Sequence, residues 1–170
     1  MSHLKTIQQK IKSLSELLTD LERYRFFNKK IVFTNGCFDL LHVGHLQTLT
    51  KAAELGNLLI VGLNSDASVK RLKGSSRPLN TETDRALLLA GLSCVDCVVL
   101  FEEDTPLNLI TAILPNILVK GGDYKKENIV GASVVEEYGG KVVTIPLVDG
   151  KSTTNIIQDL SGFKNLTGLE

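Results

Sequence analysis

The sequence predicts an α/β protein: a five-stranded parallel, doubly wound sheet with an extra N-terminal helix. Two observations predict it. From residue 30 onward, short runs rich in Val, Ile and Leu alternate with helical segments across short connections, the pattern of strand–helix–strand units. The runs are near-continuous rather than alternating, so both faces of the sheet must be covered. Length sets the scale: 170 residues, 43% of them hydrophobic and 22% charged, fill one core and one domain with a short appendage.

Residues 1–25 stand before the repeat. Leu4, Ile7, Ile11, Leu14, Leu18 and Leu21 recur at alternating spacings of 3 and 4, an a/d stripe on a single amphipathic helix. Such a stripe suits a helix lying on its own domain or the seam of a dimer, and a homo-oligomer, dimer or higher, is expected. Strands follow at Ile31–Asn35, closed by the Asn35-Gly36 turn, and at Leu58–Leu63, closed by Asn64-Ser65-Asp66. Three more are expected at Val95–Phe101, Ile117–Lys120 and Lys141–Ile145. Helices are expected at Val43–Leu55, stopped by Gly56, at Asp84–Leu92 behind the Thr81 cap, and after Thr105-Pro106. Another ends near Gly139-Gly140, and the last spans Ser152–Leu160. The segment Lys70–Asn80, with Lys70, Arg71, Lys73 and Arg77, reads as a mobile loop.

Charge and cysteine usage exclude several classes. Nineteen basic and nineteen acidic residues cancel, whereas nucleic-acid binding by counterion release calls for a basic excess. Three cysteines make no disulfide framework, and neither a secretory leader nor a run of about 18 apolar residues is present, so a cytoplasmic protein without membrane attachment is expected. Cys94-Val-Asp-Cys97 spells C-x-x-C, but a zinc site needs a second pair and a redox site a helix start; the thiols read as inert. No Gly-x-Gly-x-x-Gly follows the first strand, which argues against a dinucleotide fold.

In doubly wound sheets ligands bind beyond the C-terminal strand ends, and the polar clusters sit there. The first is Thr34-Asn35-Gly36-Cys37-Phe38-Asp39-Leu40-Leu41-His42-Val43-Gly44-His45. A strand ends in a glycine turn and a helix begins near Val43, whose first-turn amides and positive dipole end welcome an anion. His42 and His45, three apart, share one face there, and Gly44 between them lets a phosphate approach the backbone. Two imidazoles on one phosphate suit nucleotidyl or phosphoryl transfer, in which positioning and charge stabilisation supply the catalysis. A pair of surface histidines capping a helix is the bland alternative.

These residues resemble the His-x-Gly-His signature of the nucleotidyltransferase α/β superfamily, the Rossmann-like cytidylyltransferase-like proteins. Lys151-Ser152-Thr153-Thr154 is similar to the helix start with which that superfamily binds its nucleotide. Within it, Phe33–Gly44, Val61–Gly74, Arg77-Pro78, Asp84-Arg85, Glu103-Asp104-Thr105-Pro106, Val119–Tyr124 and Lys151–Thr154 resemble the adenylyltransferases of ADP-heptose synthesis. The similarity covers residues 28–162, leaving 163–170 as a tail and the N-terminal segment as an addition that the fold should survive losing. It implies transfer of AMP from ATP to a heptose 1-phosphate, with Mg²⁺ accompanying the ATP and a separate heptose kinase and phosphatase acting in the same pathway.

The resemblance also implies roles for single residues. His42 and His45 would hold the reacting phosphate, and Lys73, Arg77 and Lys120 would neutralise its charge. Thr34, Asn35, Gly36, Phe38, Gly44 and Asn64 would surround the nucleotide phosphates, while Gly122, Asp123, Ser152, Thr153 and Thr154 would line the nucleotide side. Cys37 and Asp39, with Lys120, would face the sugar. No protein metal cage is expected. Glycerol-3-phosphate cytidylyltransferases are the alternative, but they carry an arginine where this chain has Leu147, and they differ from Lys120-Gly121-Gly122-Asp123-Tyr124.

Overall fold

The structure is a computed structural model that describes residues 2–122 and 124–146. Its elements run α1 (His3–Gln8), β1 (Ile11–Lys12), α2 (Leu14–Phe26), β2 (Ile31–Gly36), α3 (Val43–Ala53), β3 (Leu58–Asn64), α4 (Asp66–Lys73), α5 (Glu82–Ala90), β4 (Cys97–Phe101), α6 (Leu107–Ile113), β5 (Ile117–Gly121), a 3₁₀ turn (Lys126–Asn128), α7 (Ala132–Glu137) and β6 (Lys141–Ile145). All strand pairs are parallel, in the order β1-β4-β3-β2-β5-β6. The chain thus begins its sheet at one edge with β1, crosses to the middle with β2, and winds outward from there first through β3 and β4 and then through β5 and β6. The expected last helix, Ser152–Leu160, lies outside the described residues.

The continuous apolar runs are explained by where alternate side chains go. Ile31 and Phe33 of β2 and Leu58 and Ile60 of β3 enter one core with Leu109, Ile110 and Val135. Val32, Leu59, Val61 and Leu63 enter the other with Leu49, Ala52, Ala86 and Leu89. Helices α2, α6 and α7 therefore cover one face, and α3 and α5 the other. Gly62 is required by close packing: a Cβ there would sit 2.7 Å from the Phe33 ring.

The structure corrects three expectations of the fold. The sheet has six strands among the described residues, and residues 1–25 are not one helix. The 3–4 spacing runs on across Lys10–Ser13, but Ser13 and Glu16 form a capping box that restarts the helix: the Ser13 hydroxyl accepts from the Glu16 amide, and the Glu16 carboxylate accepts the Ser13 N–H at 2.8 Å. The residues before it extend as β1, with Ile11 opposite Val98 and Lys12 opposite Val99. Lys10 fixes the junction, its Nζ donating to the carbonyls of Val95 at 2.8 Å and Leu92 at 3.3 Å. Leu17 and Leu21 are buried in one core and Leu18 packs on it, while Ile7 and Ile11 pack on the other. A seam for a second chain would need these same residues; only Leu4 and Leu14 of the stripe remain exposed. The supposed mobile loop is also shorter than expected. Lys70, Arg71 and Lys73 belong to α4, and the turn begins at Gly74, in the positive-φ region that favours glycine.

No helix among the described residues is long and apolar enough to cross a membrane. Because Leu21 is fully buried, Leu21→Ala should lower stability by about 2–5 kcal/mol in urea unfolding. Removal of residues 1–24, expected from the sequence to be harmless, should abolish cooperative unfolding.

Candidate active site

The C-terminal ends of β2, β3, β4 and β5 open into a cavity of about 440 Å³. Of the residues singled out in the sequence, Asn35, Gly36, Cys37, Phe38, Asp39, His45, Asn64, Lys73, Arg77 and Lys120 line it together. Thr34 is buried within β2 and Gly44 and Gly122 are buried; like His42, they do not border the cavity. Asp123, Ser152, Thr153 and Thr154 lie outside the described residues.

His42 is the N-cap of α3, in extended backbone, and its side chain makes no capping hydrogen bond. Its ring instead stacks on His45, centroids 3.8 Å apart and planes 25° from parallel. Phe38 packs edge-on against His45 at 5.2 Å, and Gly36 makes room for it, since a Cβ there would come within 3.0 Å of the Phe38 ring. Burial, and after it the neighbouring His42, push His45 down to about 4; Lys73 adds to this and the Leu40 backbone opposes it. The imidazole is therefore neutral at pH 7, with one N–H donor and one acceptor nitrogen, in the first turn of α3.

Two lysines, Lys73 and Lys120, line the same cavity. Burial lowers the pKa of Lys120, whose Nζ lies 5.9 Å from the centre of the Tyr124 ring. Burial likewise raises that of Cys37, against the pull of Lys73 and Arg85. Asp39 is placed differently from the sequence expectation. It is 3% exposed, and its carboxylate accepts from Arg77 Nε at 2.5 Å and from the amides of Leu79 at 2.7 Å and Asn80 at 3.1 Å. Burial alone would raise its pKa, but these donors together hold it below the ordinary carboxylate value. Asp39 borders the cavity while its oxygens fasten the 74–81 turn. Arg77, expected to meet phosphate, is likewise engaged by Asp39.

The sequence reading quoted Arg85 without giving it a role. It is wholly buried, and its guanidinium donates to Cys37 O at 2.6 Å, Asn80 O at 3.1 Å and Asp66 Oδ1 at 2.8 Å. Its signal was a cation in the apolar stripe of a helix, four residues before the buried Leu89. Elsewhere Cys97 is buried within β4, which pushes its thiol up to about 12; Cys37, Cys94 and Cys97 are all free. Among the described residues no cluster of three His, Cys, Asp or Glu could hold a metal ion.

A stacked imidazole pair, helix amides and lysines at the strand ends of a parallel sheet define a phosphate-handling α/β site of the nucleotidyltransferase class. The chain belongs to the cytidylyltransferase-like family, which matches residues 33–159. It is 59% identical over 156 residues to the bifunctional protein HldE of Syntrophotalea carbinolica and 60% identical over 149 residues to that of Pelobacter propionicus. The matches cover 92% and 88% of this chain but 32% and 30% of those proteins, so it spans about a third of their length. A solved structure, the lipopolysaccharide core biosynthesis protein of Thermoplasma volcanium, superposes with a TM-score of 0.59 at 26% identity, covering 72% of this chain and 99% of that one. The pantoate-β-alanine ligase of Francisella tularensis shares the fold, with a TM-score of 0.58 at 15% identity over 91% of this chain and 77% of that one.

The suppressed His45 basicity gives a test. Its folded pKa is below the unfolded value, so acidification from about 6.5 toward 4 weakens the fold, and a bound polyphosphate reverses the penalty on the charged ring. An NMR titration should place the His45 midpoint near 4 in the free protein and higher with ATP. An ordinary midpoint without ligand would contradict this assignment.

Proposed function

We propose that this chain transfers AMP from ATP to D-glycero-β-D-manno-heptose 1-phosphate, giving ADP-heptose and pyrophosphate, in the cytoplasm. The observation that carries the reading is the convergence of His45, Lys73, Lys120 and the α3 N-terminus on one cavity whose carboxylates, Asp39 and Asp104, are already paired with Arg77 and Arg71. Such a site favours anions and offers no spare base. The motif resemblance to the adenylyltransferases of ADP-heptose synthesis, and the HldE relatives, support the choice of substrates.

A phosphate oxygen of the sugar 1-phosphate attacks the α-phosphorus of ATP in line. The new P–O bond forms as the bond from the α-phosphorus to the bridging oxygen breaks, and pyrophosphate leaves with that oxygen and its electron pair. The nucleophile is already an anion, so no proton need be removed. The His42–His45 pair donates to the oxygens of the α-phosphate, where charge concentrates in the transition state. Lys73 and Lys120 neutralise the flanking phosphates, their charges counting for more in a half-enclosed site than in water. Mg²⁺ enters as the counter-ion of ATP, held by phosphate oxygens and water.

Two measurements test this. His42→Ala and His45→Ala should each lower kcat about 10²–10³-fold while ATP affinity changes little; near-normal turnover in both would refute the role. With Mg²⁺, pyrophosphate release should be strong from ATP and the heptose 1-phosphate and weak from CTP and glycerol 3-phosphate. The reverse preference would make the chain a cytidylyltransferase.

A further inference from the structure

Several polar groups around the cavity are already engaged with one another. Asp39 and Arg77 bind each other, Asn64 Nδ2 donates to Ser68 Oγ at 3.0 Å, and Asp104 pairs with Arg71 at 2.7 Å. Thr105 and Asn128, by contrast, border the same cavity, are exposed, and have no side-chain hydrogen bond among the described residues. Neither is charged. Each combines a donor with an acceptor, the chemistry that matches a hydroxyl group rather than a phosphate.

Their position separates them from the phosphate end. His45 enters from α3, in the layer that covers one face of the sheet. Thr105 precedes α6 and Asn128 precedes α7, both in the opposite layer. In the strand order, β4, which leads to Thr105, and β5, which leads to Asn128, lie on either side of the β3–β2 pair, so the two side chains reach the cavity from both flanks. The imidazole pair assigned to the reacting phosphate sits with α3, so the side of the cavity under α6 and α7 is left for the second substrate. Pro106, Ile129 and Val130, their neighbours in the chain, border the same cavity and give the C–H faces of a sugar an apolar surface.

We propose that Thr105 and Asn128 form the acceptor subsite and read the sugar's hydroxyl groups, the task that the sequence assigned to Asp39. The proposal rests on the acceptor reading above. Thr105→Val and Asn128→Leu keep the size of each side chain and remove its hydrogen bonding. In pyrophosphate-release assays of the full chain, each should raise KM for the heptose 1-phosphate about three- to tenfold, the equivalent of one hydrogen bond, and leave KM for ATP within about twofold. The double variant should multiply the effects. Both residues are exposed, so thermal midpoints should stay unchanged. Wild-type activity with variants that alter KM for ATP instead, or neither KM, would overturn the subsite alone. A wild-type protein inert toward the heptose 1-phosphate would overturn the acceptor reading and this proposal together.

Discussion

The site depends on one buried cation. Arg85 sends its guanidinium into the space where three separate chain segments meet: the turn after β2, the start of α4 and the end of the 74–81 turn. Taking a guanidinium out of water is costly, and the half-exposed Asp66 carboxylate offsets only part of that cost. The rest is met by two backbone carbonyls that, without Arg85, would be buried and unpaired at about 1–3 kcal/mol each. The arginine is thus less a source of stability than a gauge. It fixes the spacing between the residues around Cys37 and those around Asn80, and Asp39 completes the link by binding Arg77 and the amides of Leu79 and Asn80.

This bracing explains how a site full of positive groups stays assembled. Lys73, Lys120 and a pair of stacked histidines would repel one another if all were charged. Burial resolves the conflict by discharging His45 rather than by supplying a counter-carboxylate. The pocket keeps its donors and remains short of negative charge. Asp39, the acidic group at its edge, is neutralised by its own donors and does not compete with an incoming phosphate.

How much of this was legible varied with sequence distance. β2, β3, β5 and β6 could be read directly, because strands buried on both faces announce themselves as unbroken apolar runs. The histidine pair was legible for a local reason: strand, glycine turn and helix start are contiguous, so their geometry follows from neighbours. The N-terminal segment was misread because a 3–4 spacing continues through Ile11 even though the chain does not. Ser13-x-x-Glu16, at capping-box spacing, is the contrary signal that the sequence carries. The roles of Asp39 and Arg85 were beyond reach. Their partners are 38 and 48 residues away, and only the fold brings them together.

The two residues of β1 have an effect on the sheet as a whole. Parallel sheets end in strands whose outer N–H and C=O groups are open to any passing extended chain, a standing invitation to aggregation. Here β4 would be such a margin, but β1 covers it, and β1 itself is too short to serve as a template. Lys12, which pairs with Asp20 of α2, adds a charge at that margin. The first 26 residues thus act as a hem: they bind off the sheet on that side and keep a chain rich in β-branched strands from growing onto its neighbours.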